Sequence, residues 1–470
     1  MQETIHKIQE NNFSNLFFSP HFGVAFNFIT MKNLLSIIKK LFKNKDNNST
    51  SKPSAELLWT RKRVMGTEQE YGLPGDYGFH WGLKNPKPFI ENGARIYVDC
   101  NHPEYASPET TNPLDAMMWD KAGEYIIPKN LKKLKVKKLR LFKNNIDSYE
   151  NSYGSHESYC MERSNVDKDK FYNSMLGFLV TRIIFAGSGS INNRGEYEIS
   201  QKARSIDCDI SCITTYGAKP IVNTRDASLS EHKYYRFHVV SGDANLSETS
   251  IFLKMGTMAL ILDLYEDRKL ENIFIKDPLE SLHKLSQDPN LKTKIDTNKG
   301  RLSAIEIQKF YYEQADSEYS GRDSMTDEIL NRWINTLNSL EEEPLELSRQ
   351  LDWIIKKNLI DSYIKKTNKR LEEPEVRNID LQYHELGNGL FYMLEDNGYV
   401  DRIASDIDIA YAIENPPENT RAWSRGQLIS SKKVESIWWD KITLKDKTII
   451  ELPNPYRGTK EDNLLEDILN

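Results

Sequence analysis

Residues 64–72 read VMGTEQEYG and residues 92–109 read NGARIYVDCNHPEYASPE. A strand entering from Arg63 points Glu68 and Glu70, two residues apart, to the same face. Like charges so close are costly unless a cation lies between them. Mg²⁺ meets that need, since it takes oxygen ligands and is often shared with nucleotide phosphates. An exposed strand face is the plainer reading of Glu-x-Glu taken alone. In the second stretch residues 94–100 read as a strand ending near Asp99. His102, Glu104 and Glu109 then follow in a loop punctuated by Pro. A carboxylate at a strand end, beside further carboxylates, suits a nucleophile or general base. His102 reads equally as a loop hydrogen-bonder, and Glu109 as a cap for the next helix.

Four further stretches carry chemistry. SYGSHESY (152–159) places His156 in a Gly/Ser turn, and KPIVNTRD (219–226) places Arg225 at a strand end. KYYRFHVVSGDANLSE (233–248) puts Arg236 and His238 on one strand face. The two arginines suit bidentate phosphate contacts. The two histidines suit a metal shell, or a structural role. ENPPENTRAWSRG (414–426) sets Arg421 and Arg425 near Trp423, which suits a nucleotide or simple surface packing. Neither a phosphate loop nor a dinucleotide fingerprint occurs, so ATP would be held another way. GSG at 187–189 is a weak signal. Cys208 and Cys212 lack a second ligand pair and read as buried thiols. No G-x-S-x-G nucleophile elbow is present.

Composition frames these motifs. The chain has 470 residues, 63 basic against 69 acidic, a net charge of -6, 39% hydrophobic and 28% charged residues. That is an ordinary globular balance with room for a large core and two domains. Mild acidity argues against a dedicated nucleic-acid binder. Four Cys are too few for a disulfide scaffold and point to a reducing cytoplasm. No apolar run is long enough for a membrane-spanning helix. Residues 1–60 form an N-terminal extension. Within it, KNLLSIIKKLFKNK (32–45) has helical apolar spacing with lysines between. This basic amphipathic segment suits an anionic membrane surface or a partner, or packing on its own domain. Residues 47–54 read as a linker, and Met31 as an alternative start. Residues 131–143 (LKKLKVKKLRLFK) read as a half-buried strand whose basic face is solvated or turned to a phosphate or an acidic partner. Residues 171–185 and 246–265 have helical periodicity, 266–375 are mostly helical, and SIWWDKITL and TIIELP near the end are strand-like.

Taken together and in this order, these segments resemble the Pup ligase and depupylase family. The resemblance runs from about Arg61 to Arg457. It includes LRLFKNN, FLVTR, LKMGTMALILD, LDWIIK and DLQYHEL besides the stretches above. The Asp99-to-Glu104 spacing, SGDANLSE, NPPENTRA and the WWD at Trp438–Asp440 resemble the depupylase branch. Only 28 residues separate Glu70 from Asp99, so the long loop usual in that branch is missing. The resemblance implies an α+β fold of the glutamine-synthetase type. A curved antiparallel sheet forms a cradle covered by helices (residues 61–395), and a smaller C-terminal domain (396–470) packs on it. It implies ATP, or ADP plus phosphate, and Mg²⁺ in the cradle. Glu68, Glu70, Glu104, His156 and His238 would hold metal and phosphates. Arg225 and Arg236 would neutralise phosphate or the reacting carboxyl, with Arg421, Arg425 and Trp423 near the nucleotide. Asp99 would be the catalytic carboxylate.

The activity implied is ATP- and Mg²⁺-dependent amide hydrolysis on Pup or a Pup-like modifier. The enzyme would cleave the isopeptide bond between the modifier's C-terminal Glu side chain and a substrate lysine, or convert a C-terminal Gln to Glu. Both reactions attack the same side-chain carbonyl. Nucleotide would supply a bound phosphate rather than act as fuel. The first rival is ligation, in which ATP activates the Glu side chain and Asp99 deprotonates the lysine. The second is a nucleotide-sensing adaptor that binds a modifier without catalysis.

Overall fold

The computed structural model describes residues 57–73, 88–132, 140–147, 149–213, 217–462 and 464–465. The amphipathic segment 32–45 and the linker 47–54 lie outside the described residues. Seven strands form the main sheet: β1 (Met65–Glu70), β2 (Arg95–Asp99), β3 (His102–Ala106), β4 (Ser155–Glu162), β5 (Cys208–Ser211), β6 (Pro220–Asn223) and β7 (Tyr234–Val239). Their spatial order is β2-β3-β1-β4-β7-β6-β5. All neighbours are antiparallel except β5 and β6, which run parallel.

The two-residue period of β1 decides which face carries chemistry. Thr67 and Gln69 turn inward, and both donate to Asp120 Oδ1, at 2.8 and 2.9 Å. Asp120 belongs to α1 (Pro113–Lys132), the helix that lies behind this part of the sheet. Glu68 and Glu70 therefore turn to the open face. Helix α1 is capped by Asn112 rather than Glu109: Asn112 accepts from the Asp115 amide at 2.8 Å and Pro113 takes the first position, where no amide hydrogen is needed. Helix α2 (Lys168–Thr181), followed after Arg182 by a single helical turn at Ile183–Ala186, covers the periodicity at 171–185, and α3 (Glu248–Glu266) that at 246–265. Every residue of α3 from Glu248 to Leu264 is buried, and its charged members are paired: Lys254 donates to Asn245 Oδ1 at 2.9 Å and Asp263 accepts from Arg63 at 2.6 Å.

Buried ion pairs brace the back of the sheet. Glu157 on β4 points away from the open face and accepts from Arg182 at 2.6 and 2.9 Å. Burial by itself would raise the Glu157 carboxyl, but Arg182 holds it below its usual range. Removing one partner strands a buried charge, which costs about 3–5 kcal/mol. Arg182→Met is thus expected to lower the unfolding free energy by about that amount in a urea titration. A loss below about 1 kcal/mol would mean that the pair is wet.

A second, three-stranded sheet, β8 (Val434–Ile437), β9 (Lys441–Leu444) and β10 (Ile449–Glu451), has its own small core with Phe89 and Leu428. The larger core runs from Trp59 to Ala412. The two cores therefore divide later than residue 396, because the helix α4 (Asp406–Glu414) packs on α1. Residues 57–60 belong to the main body: Thr60 is fastened to Asp323 and Trp59 is buried.

Several local expectations change. Residues 102–106 form a strand rather than a loop, and Cys100 and Asn101, both at positive φ, make the tight turn from β2. His156 lies in β4, not in a turn. Leu131 and Lys132 end α1, and residues 133–139 lie outside the described residues. Lys143 is fully buried against Asp120 and Glu124, so the basic face is not simply solvated. Cys208 is half-buried and Cys212 exposed, where buried thiols were expected, and no disulfide links the four cysteines. Among the described residues no helix is long and apolar enough to cross a membrane.

Candidate active site

The open face of the sheet is the floor of a cavity of about 690 Å³. Register alone assembles its two clusters. Glu68 pairs with His156 across β1 and β4, and Glu70 pairs with Glu104 across β1 and β3. Asp99 pairs with His102 beside the hairpin turn, and Ser158 brings β7 with His238 alongside. The ligand atoms of Glu68, His156 and His238 lie within 4.8 Å of one another, as do those of Glu70, Asp99 and Glu104.

Glu68 is the hub of the first cluster. Its Oε1 accepts from Arg236 Nη2 at 2.8 Å, and its Oε2 lies 3.3 Å from His156 Nδ1 and 3.6 Å from His238 Nε2. Burial alone would raise its carboxyl, but Arg236 and the two imidazoles hold it well below the usual range. Burial, then Arg236, pushes His238 down to about 3, which leaves a neutral imidazole. Both of its ring nitrogens are buried without a hydrogen-bond partner among the described residues.

In the second cluster Glu70 accepts from the Gly154 amide at 2.9 Å and lies 3.3 Å from His102 Nδ1. A Cβ on Gly154 would collide with that same Glu70 oxygen and with the His156 ring, so a larger residue there would displace both site groups. Tyr97 donates to Glu104. Burial, then Glu68 and Glu70, pushes the Glu104 carboxyl well above its usual range. Asp99 is exposed at the strand end, and no cation lies within 4 Å of it among the described residues. Crowded carboxylates, one of them forced toward its protonated form, and an unpartnered neutral histidine fit a divalent cation.

The arginines separate into two kinds. Arg236 is fixed by Glu68 and by Ser158 Oγ at 3.0 Å, and Arg225 stands exposed on the cavity wall two residues beyond β6. Arg421 also lines the cavity, but it donates to Glu109 and to the Leu229 and Leu452 carbonyls. Arg425 and Trp423 do not line it. Arg425 is wholly buried and gives its donors to Glu109 and the Gly93 and Trp439 carbonyls. It ties the second sheet to the main one. Lys460 lies 5.4 Å over the Trp423 ring. Glu109, read as a helix cap, is instead the acceptor that draws Arg421 and Arg425 together.

Burial would raise Glu109, but the two guanidiniums lower it to about 2 from an ordinary 4.5. A depressed carboxyl gives stability that is complete above 4.5 and is lost as pH falls toward 2, here roughly 3 kcal/mol. Unfolding free energy measured against pH is expected to fall more steeply in this window for the wild type than for Glu109→Gln. Equal slopes would contradict the assignment.

Sequence reasoning passed over Arg95, Tyr97, Lys202 and Lys219, all of which line the cavity. The period that joins Glu68 to Glu70 also puts Arg95 and Tyr97 on the face of Asp99, so these two were findable. Arg95 is stacked between Tyr97 at 4.2 Å and Trp438 at 4.6 Å. Lys202, in QKARS, carries no motif.

Known proteins resemble this chain in sequence and in fold. The family profile described as Pup-ligase protein matches residues 76–443. A depupylase of Acidothermus cellulolyticus is 36% identical over 411 residues, covering 81% of this chain and 80% of the relative. A Pup–protein ligase of Renibacterium salmoninarum is 34% identical over 446 residues, covering 85% and 96%. The solved complex of Pup with its ligase PafA superposes with a TM-score of 0.78 at 30% identity, covering 87% of this chain and 92% of that one. PafA in complex with ADP gives a TM-score of 0.73 at 27% identity, covering 92% of each chain. With the profile spanning most of its length and such relatives aligned along four-fifths of it, the chain belongs to the Pup-ligase protein family.

Proposed function

We propose that this chain is a nucleotide-dependent amidohydrolase of the depupylase type. It would release Pup or a Pup-like modifier from substrate lysines and convert a C-terminal Gln to Glu. The observation that carries the reading is the position of Asp99: an exposed carboxylate at the strand end, beside Glu70 and Glu104, with no cation of its own among the described residues. Such a group is available to attack a carbonyl or to take a proton from water. Depupylase and ligase relatives are similarly distant. The hydrolytic direction therefore rests on the Asp99–Glu104 spacing and on SGDANLSE and NPPENTRA.

In this reading the side-chain carbonyl of the modifier's last residue sits over Asp99. The C–N bond breaks, water supplies the oxygen to the new carboxylate, and a proton goes to the departing amine. Arg236, fixed by Glu68 and Ser158, and Arg225 on the wall hold phosphate or neutralise charge that develops on the carbonyl oxygen. His156 and the neutral His238, with Glu68, Glu70 and Glu104, would hold Mg²⁺, which supplies Lewis-acid polarisation when bound. Tyr97 keeps Glu104 turned toward that cluster.

The ligase reading uses the same cradle and differs in stoichiometry. ADP produced per bond changed, measured with Pup ending in Glu and with a Pup–lysine conjugate, separates them. The proposal expects conjugate loss with far less than one ADP per bond. One ADP for each new conjugate would establish ligation instead.

A further inference from the structure

Lys202 is a buried cation that the proposed chemistry leaves unused. It is only 5% exposed, it lines the cavity, and its ammonium has no carboxylate within 4 Å and no side-chain hydrogen-bond partner among the described residues. Its backbone is firmly held. The Asp243 carboxylate, itself buried, accepts from the amides of Ser188, Gln201 and Lys202 at 2.7, 2.9 and 3.1 Å and from Ser200 Oγ at 2.8 Å. A second ammonium, Lys219, lines the same cavity and is tied to Ser152 Oγ at 2.7 Å. A buried lysine facing a cavity with no carboxylate in contact is costly unless an anion arrives with the ligand.

The place of this cation identifies the anion. Asp243, which holds the Lys202 amide, accepts at its own carbonyl from Ser155 Oγ at 3.1 Å, and Ser155 pairs with Gln69, so Lys202 sits toward the Glu70 end of β1. Arg421 and Glu109 stand at the other end, where Thr110 pairs with Met65. Five residue steps along β1 separate these ends by about 17 Å. Arg421 and Lys202 therefore face different parts of the cavity. Asp99 belongs to the cluster with Glu70. In a C-terminal Gln or Glu whose side-chain carbonyl lies at Asp99, the main-chain carboxylate is four bonds away, about 5 Å.

We infer that Lys202, positioned by Asp243 and backed by Lys219, binds the free main-chain carboxylate of the modifier's last residue. The inference rests on the proposed action at a C-terminal side chain. It makes Lys202 a specificity-determining residue: an internal glutamine, or an amidated terminus, would leave the ammonium buried without its partner.

The test uses two Pup peptides ending in Gln, one with a free C-terminal carboxylate and one with a C-terminal amide. The full chain is assayed for deamidation with nucleotide and Mg²⁺, as wild type, Lys202→Met and Lys202→Arg. The wild type is expected to favour the free acid by about 10- to 100-fold in kcat/KM, mostly through KM, as for a charge-assisted hydrogen bond. Lys202→Met is expected to erase that preference and Lys202→Arg to keep most of it, with nucleotide affinity unchanged in all three. Persistence of the preference in Lys202→Met overturns the inference. So does a fall in nucleotide or inorganic phosphate affinity with the preference intact, which would make this a phosphate site. If the wild type turns over neither peptide, the proposed activity fails, and peptide binding by fluorescence anisotropy decides the anion site separately. Tighter binding of the free acid, lost in Lys202→Met, supports the site, and equal binding of both peptides overturns it.

Discussion

Asp99→Asn is expected to cut turnover of a Pup conjugate by roughly 10²–10⁴-fold, the usual cost of removing a positioned acid or base. Nucleotide affinity and unfolding midpoint are expected to stay close to wild type. The reason is local. Asp99 is exposed at the end of β2, beside a turn whose positive-φ residues are Cys100 and Asn101, and it forms no ion pair among the described residues. The substitution keeps size and shape and removes the charge. Its effect therefore reports on chemistry rather than on packing. Near-normal turnover would exclude Asp99 as nucleophile or base.

Glu68→Ala is expected to have the opposite profile. Glu68 is the carboxylate shared by Arg236, His156 and His238, and its own ionisation is enforced by them. Without it, two imidazoles and a guanidinium face one another with no anion between. Mg²⁺-dependent nucleotide affinity is expected to fall by about 100-fold, at the upper end of what shell residues around a bound metal contribute. Isothermal titration with nucleotide, with and without Mg²⁺, reads this directly. A loss that is the same without Mg²⁺ would assign Glu68 to positioning Arg236 alone. Unchanged affinity would remove it from the site.

The cradle was legible in the sequence because strand periodicity and site chemistry coincide there. Glu68 and Glu70 share a face, Asp99 ends a strand and Arg236 is two residues from His238, so alternation alone sent these groups to one surface. Register supplied what alternation lacks: nothing local says that His156 sits opposite Glu68 or that Glu104 sits opposite Glu70. The hairpin at Cys100–Asn101 was missed because Pro103 reads as a loop signal. Tertiary pairing overrode it, and the Pro103 carbonyl accepts from the Tyr71 amide. Arg425 and Trp423 misled for a related reason. An arginine beside an aromatic looks the same in sequence whether it faces a ligand or closes a buried joint, and here Glu109 claims the guanidinium. Lys202 left no trace in the sequence. Its meaning comes from burial and from Asp243, 41 residues further on.

The central claim is that this cavity hydrolyses a side-chain amide at a modifier's C-terminus. Intact-mass spectrometry tests it most directly, on Pup ending in Gln and on a Pup–lysine conjugate, each incubated with the protein, Mg²⁺ and ATP, with Asp99→Asn alongside. Conversion of Gln to Glu and release of free Pup, both absent with Asp99→Asn, is the predicted result. Unchanged substrates, or a new lysine conjugate formed with matching ADP, would contradict it.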